Sequence, residues 1–245
     1  MEGPIDQILI FELFGVKNKD LEKSMCNYVA SMSYKITVYV YNGFGNSNCY
    51  LPFVSQMLDL VTVKYVNNLD FLRKKQHKPT DIVYFGGGRG KYVLENITGN
   101  QISDLKNNLN HDKIRYIGIC CGSYLASKQI IFDDTKKKSF GLCDVISVGP
   151  YYKKKNTNYD YSIDNSIIIS NQLLRDERKA VAYLNGGGWF SNISNDFEIV
   201  SCYENSSLPS TIMNNKMFLS HIHVEHPSTN RIFSNLLYSF IFRPF

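Results

Sequence analysis

The chain of 245 residues is long enough for one large domain with a full core, and 44% hydrophobic against 20% charged residues is the balance of a soluble globular protein. Its net charge of +5 is clumped in Arg73-Lys74-Lys75, Lys136-Lys137-Lys138 and Lys153-Lys154-Lys155, and since no nucleic-acid motif accompanies these runs, they read as solvated loop faces rather than a nucleic-acid groove. No apolar run is long enough to span a bilayer, and Glu2, Asp6 and Glu12 interrupt the N-terminus where a secretory signal would be apolar, so no membrane partner is expected.

Residues 1–31 read as an N-terminal extension and 32–245 as the domain. In the extension, Ile5, Ile8, Leu9, Phe11, Leu13 and Val16 suit a short amphipathic helix, docked on the domain or on a partner. Tyr34–Tyr41 alternates and is rich in β-formers, which predicts a first strand. The glycine turn Asn42-Gly43-Phe44-Gly45-Asn46-Ser47 follows, then a helix over Leu51–Leu60 and a strand over Val61–Val66. Asp81–Phe85 predicts a third strand, ending in Gly86-Gly87-Gly88-Arg89-Gly90-Lys91-Tyr92. This is no P-loop, but its place after a buried strand suits backbone N–H groups aimed at a developing oxyanion.

Gln101–Leu109 has a helical pattern and leads into Ile114–Ser127, read as strand, sharp turn and helix. Gly118 and Gly122 bracket Cys120 at the G-x-[nucleophile]-x-G spacing of a nucleophile elbow, where a Cβ on either side would clash. A thiol at such a helix N-terminus is favoured as thiolate, its pKa falling from ~8.5 to about 3.5–7.5. The competing reading makes Cys120 and Cys121 inert core residues, since free Cys is among the most buried types. The six cysteines of the chain show no framework spacing and no CxxC, which argues against structural zinc and for a reducing, cytoplasmic compartment.

Residues 131–180, polar and rich in Lys and Tyr, read as a β-type insertion with a strand at Ser166–Ser170. Ala180–Phe190 predicts a strand ending in glycines, Phe197–Tyr203 another, and Met217–Glu225 the last, before a helix from about Thr229 to Ile241. Strands alternating with helices predict an α/β fold with a parallel sheet and chemistry at the carboxyl ends of its strands. There the turns at Gly43–Gly45, Gly86–Gly90 and Gly186–Gly188 would meet around Cys120, with Arg89 near enough to attract an anion, so a small polar or amide-containing ligand is expected. On an extended strand His221, His223 and Glu225 share one face. His223 and Glu225 can supply the base and orienting carboxylate that a Cys nucleophile needs; the same face offers two His and a carboxylate to a metal, or holds satisfied histidines.

Gly118-Ile119-Cys120-Cys121-Gly122 resembles the G-x-C-x-G elbow of class I glutamine amidotransferases, and His223-Val224-Glu225 their late H-P-E. The succession Tyr41-Asn42-Gly43-Phe44-Gly45, Gly87-Gly88-Arg89-Gly90-Lys91-Tyr92, Gly118 to Tyr124 and Tyr183 to Phe190 is more closely similar to the amidotransferase-like N-terminal domain of eukaryotic biotin–protein ligases. This resemblance spans about Tyr34 to Phe245. It implies a flavodoxin-like three-layer sandwich with a mostly parallel sheet and a β-rich insertion after the elbow helix. It also implies a Cys120–His223–Glu225 triad, with Gly87, Gly88, Arg89, Cys121, Gly43 and Gly187 as oxyanion or ligand-binding positions and with no metal or cofactor. Cys121 stands where the family has Ala, and Val224 where H-P-E has Pro. No ligase catalytic domain follows Phe245, so the chain is not expected to biotinylate. Two functions follow as expectations: amide hydrolysis or amide-nitrogen transfer through a thioester, with a synthase or ligase as partner protein, or a catalytically silent binding or regulatory module.

Overall fold

A computed structural model describes residues 36–47, 61–74, 77–151, 166–171, 179–204, 206–226, 229 and 231–242. The extension over residues 1–31 and the helix expected at Leu51–Leu60 lie outside them. The main sheet begins with parallel strands β1 (Thr37–Tyr41), β2 (Thr62–Val66), β3 (Asp81–Phe85) and β4 (Arg115–Ile119), followed by the late strand β13 (Met217–Ser220). Their order β2-β1-β3-β4-β13 is that of a doubly wound, flavodoxin-like sheet. Beyond β13 the sheet continues antiparallel through β12 (Pro209–Met213), β11 (Glu198–Tyr203), β8 (Ser166–Asn171) and β9 (Lys179–Tyr183). β12 has no counterpart among the expected strands, because it opens on Pro209 and carries Ser210 and Thr211 where an apolar run would announce a strand. Both hydroxyls are buried and paired, Ser210 with Ser201 and Thr211 with Ser220.

Side chains alternate across the sheet and divide the core in two. Val38, Val40, Ile82, Tyr84, Ile117 and Ile119 share a cluster with Leu237, Phe240 and Ile241 of helix α5 (Arg231–Phe242). Tyr41, Val83, Phe85 and Tyr116 share the other with Val93 of α2 (Gly90–Asn96) and Leu105 and Leu109 of α3 (Gly99–Asn110). A short α1 (Phe71–Lys74) precedes these two. α3 starts at a full capping box, with Thr98 and Gln101 satisfying each other's backbone N–H. The insertion is β-rich as expected, but it divides. β5 (Ser127–Phe132), β6 (Thr135–Lys137), β7 (Cys143–Gly149) and the later β10 (Trp189–Ser191) form a second sheet in the order β10-β7-β5-β6, while β8 and β9 join the main one.

Arg115 fastens α5 to the sheet. It is 2% exposed and donates to the carbonyls of Phe240 at 2.6 Å and Ile241 at 2.8 Å, two of the four that a helix end leaves without internal partners. Burial lowers its pKa to about 10, so it remains charged at neutral pH. Arg115→Met is expected to cost about 3 kcal/mol in urea unfolding, since two charge-assisted bonds are lost and two buried carbonyls are orphaned. A loss below about 1 kcal/mol would show that water replaces the guanidinium.

Candidate active site

The elbow forms where β4 turns into helix α4 (Cys121–Ala126). Cys120 sits at φ 49°, ψ −103°, a conformation that costs a non-glycine residue about 1–3 kcal/mol and persists only when its surroundings impose it. They do so through hydrogen bonds: the Cys120 N–H donates to Ser220 at 2.7 Å, and the Gly122 N–H to Gly86 at 3.1 Å. The elbow is thereby tied to the carboxyl ends of β13 and β3 together. The Cys120 side chain is 7% exposed, opens onto a cavity, and places its Sγ 3.4 Å from the Asn185 carbonyl.

His223 and Glu225 meet this thiol from the loop after β13. His223 Nδ1 is 2.9 Å from Glu225 Oε1 and both side chains are buried, leaving Nε2 as the nitrogen that can serve Cys120, which lies within hydrogen-bonding reach of the ring. Burial alone would lower the His223 pKa, but the Glu225 carboxylate and the Cys120 thiol favour the charged ring and hold the pKa well above 6.5. The loop is pinned by two residues that the pattern of histidines does not reveal. Tyr183 accepts the His223 N–H at 3.0 Å, and the Thr229 hydroxyl donates to the His223 carbonyl at 2.6 Å. Tyr183 opens the glycine segment singled out in the sequence; Thr229 has no such signal.

The expectation that His221, His223 and Glu225 share a strand face is corrected here. β13 ends at Ser220, whose hydroxyl folds forward onto the Ile222 carbonyl, and the chain leaves the ladder. His221 turns inward between the Ser123 and Ser147 hydroxyls, 3.1 Å from each, and packs on Tyr124 and Phe190. Burial drives its pKa down to about 3, so it is a neutral core residue. Among the described residues no three His, Cys, Asp or Glu side chains converge as a metal site, and the two histidines point apart.

All three glycine turns reach the cavity, through Gly45, through Gly88 and Gly90, and through Gly186, but not every glycine in them faces it. Gly88, Arg89 and Cys121 line the cavity beside Cys120 and His223, together with Asn46, Asn185 and Gly186. Gly87 lies behind the imidazole, where a Cβ would come 2.7 Å from His223 Cε1. Gly43 packs beneath Tyr41 and the Asn67 carbonyl, and Gly187 against Leu184 and the His221 carbonyl; neither lines the cavity. Bonds from Ser47 N–H to Gly87 and from Arg89 N–H to Gly45 fix the loop, and among the described residues no acceptor meets the N–H of Gly88 or Cys121.

A difference in reactivity follows for the thiols. Burial pushes Cys121 and Cys202 up and Cys143 up to about 12, so these are thiols at neutral pH, whereas Cys120 faces a cavity beside a charged imidazole. Brief iodoacetamide treatment at pH 7 is expected to label Cys120 more than tenfold faster than Cys121, Cys143 or Cys202, as read by peptide mass spectrometry. His223→Ala should slow that labelling; His221→Ala should leave the pH dependence in place. Equal labelling of Cys121 would remove the basis for this assignment.

Residues 36–225 match a family described as biotin-protein ligase, N terminal. No curated protein matches the chain. Among solved structures, a glutamine amidotransferase is similar at 13% identity and TM-score 0.61, over 83% of this chain and 96% of that one. A putative GMP synthase subunit from Thermoplasma acidophilum is similar at 14% identity and TM-score 0.54, over 84% and 92%. A chain of PurLQS from Thermotoga maritima is similar at 11% identity and TM-score 0.53, over 83% and 98%. At these identities the likeness is one of fold.

Proposed function

We propose an amide-cleaving function for this chain, which belongs to the family of biotin-protein ligase N-terminal domains and has a glutamine amidotransferase-like fold. In the reacting state the Cys120 proton already rests on His223 Nε2, and Sγ adds to the amide carbonyl carbon. The resulting oxyanion is held by the N–H groups of Gly88 and Cys121, which meet no acceptor among the described residues. His223 returns the proton to the leaving nitrogen, the C–N bond breaks, and amine or ammonia departs from a thioester. Water then attacks, giving its proton to His223. The C–S bond breaks, a carboxylic acid is released, and the proton now on His223 Nε2 restores the starting pair with Sγ. Glu225 keeps Nδ1 protonated and steadies the imidazolium.

The observation that carries this reading is the buried His223–Glu225 pair, 2.9 Å apart, set against a strained cysteine at the mouth of a cavity. One observation favours a silent ligand-binding module instead: the thiol donates to the Asn185 carbonyl at 3.4 Å, so its proton has a second acceptor. Ammonia release from glutamine and simple primary amides, with quenching in acid to trap an acyl group on Cys120 for mass spectrometry, separates the two. Turnover with a trapped thioester is expected. Neither ammonia nor acyl-enzyme from any amide would leave the silent module.

A further inference from the structure

Resting on the amide-cleaving reading, we infer that the substrate is an amide whose acyl part is an extended apolar chain ending in an anionic group, and not glutamine. The cavity holds about 1030 Å³, at the upper end of sites that bury a whole drug-sized ligand. Glutamine would leave most of it empty.

Its walls differ in character. Ile130 and Phe132 come from β5 of the second sheet, and Leu94 of α2 and Leu125 of α4 add to the same lining. Phe132 meets the Tyr124 ring edge-on at 5.7 Å, so apolar surface runs without a break from the elbow helix to the β5–β6 ribbon. In that ribbon Lys137 lies directly across the ladder from Ile130, so the apolar strip leads to a cation. Lys138, Arg89 and Lys91 line the cavity as well.

Charge argues against an amino acid. Among the described lining residues the only carboxylate is Glu95, 3.9 Å from Lys91 Nζ and thus already beside a cation. An α-ammonium group would find no unpaired carboxylate here. An anionic terminus would find Lys137 and Lys138, which have no acidic partner among the described residues. In the same cavity the Asn46 side-chain nitrogen is buried with no hydrogen-bond partner among the described residues, a donor available to the substrate's polar head.

The test measures protection of Cys120 from iodoacetamide by monoamides of linear dicarboxylic acids of increasing length, by methyl-ended primary amides of the same lengths, and by glutamine. Ammonia is measured in the same samples. Each added methylene is expected to lower the half-protecting concentration about three- to fourfold until the cavity is filled. The carboxylate end is expected to improve protection about tenfold over the methyl end at low salt, with the gap closing at high salt. The double variant Lys137→Ala, Lys138→Ala should bring that ratio towards one. Phosphonate-ended monoamides show which anion the rim prefers. Chain- and charge-dependent protection without ammonia would sustain this ligand class and overturn the hydrolytic reading. Glutamine turnover with no dependence on chain length or terminus would overturn the ligand class and sustain hydrolysis. No protection and no ammonia would end both.

Discussion

Cys120→Ala is expected to lower amide turnover by about 10⁴-fold or more, His223→Ala by a similar factor, and the double variant by no more than either alone. These residues act as one unit: without the base the thiol is not activated, and without the thiol the base has nothing to activate. Glu225→Gln keeps the shape of the loop but removes the carboxylate charge facing Nδ1, and a loss of about 10³- to 10⁴-fold is expected. The pH dependence identifies the cause. In the native protein His223 carries its charge well above pH 6.5, because Glu225 and Cys120 outweigh the effect of burial. With Gln at 225 burial dominates, the ring pKa falls, and the imidazolium is lost at lower pH. Cys120 alkylation should then slow at pH 7, and the ring should titrate lower by NMR. A Glu225→Gln enzyme with an unshifted titration would show that Glu225 serves only to pack the loop. Full turnover in Cys120→Ala would remove the mechanism.

The parts of the fold visible in the sequence are those where local chemistry and tertiary role agree. β1 and β3 are runs of β-branched and aromatic residues buried on both faces, and Asp81–Phe85 is found with the predicted bounds. Gly118-Ile119-Cys120-Cys121-Gly122 is legible because the turn is so tight that glycine is required on both sides. His221 misled for the opposite reason. Alternation assumes an extended backbone, but the ladder ends at Ser220, and which histidine reaches the thiol depends on where Ser123 and Ser147 wait for the other. Gly43 and Gly187 share the sequence context of Gly88 yet serve close packing, a distinction set by the Asn67 and His221 carbonyls approaching from elsewhere in the chain. The second sheet was hidden because β10 pairs with β7 across about forty residues of sequence, and pairing at that range leaves no periodicity to read.

The elbow's rigidity has its own expected result: Gly122→Ala should destabilise the protein by about 3 kcal/mol or more in urea unfolding. A Cβ at this position would overlap the Phe85 carbonyl oxygen and lie 2.8 Å from the Phe85 carbonyl carbon and Cβ. Phe85 ends a strand buried along its whole length, and the obstructing atoms are its carbonyl and the Cβ fixed to its backbone, which have no rotamer to escape into. Relief requires α4 to back away from β3. That movement would lengthen the Gly122 N–H bond to Gly86 at 3.1 Å and the Tyr116 hydroxyl bond to the Gly122 carbonyl at 2.8 Å. The same retreat carries Cys120 away from His223, so alkylation at neutral pH should slow even where the variant stays folded. Gly99→Ala is the control. It lies at the start of α3, a Cβ there meets nothing within 4 Å, and Ala should be neutral or stabilise by up to about 1 kcal/mol through helix propensity. Equal stability of the two variants would mean that α4 is free to shift on the sheet, and the strained Cys120 backbone would then have no rigid frame to hold it.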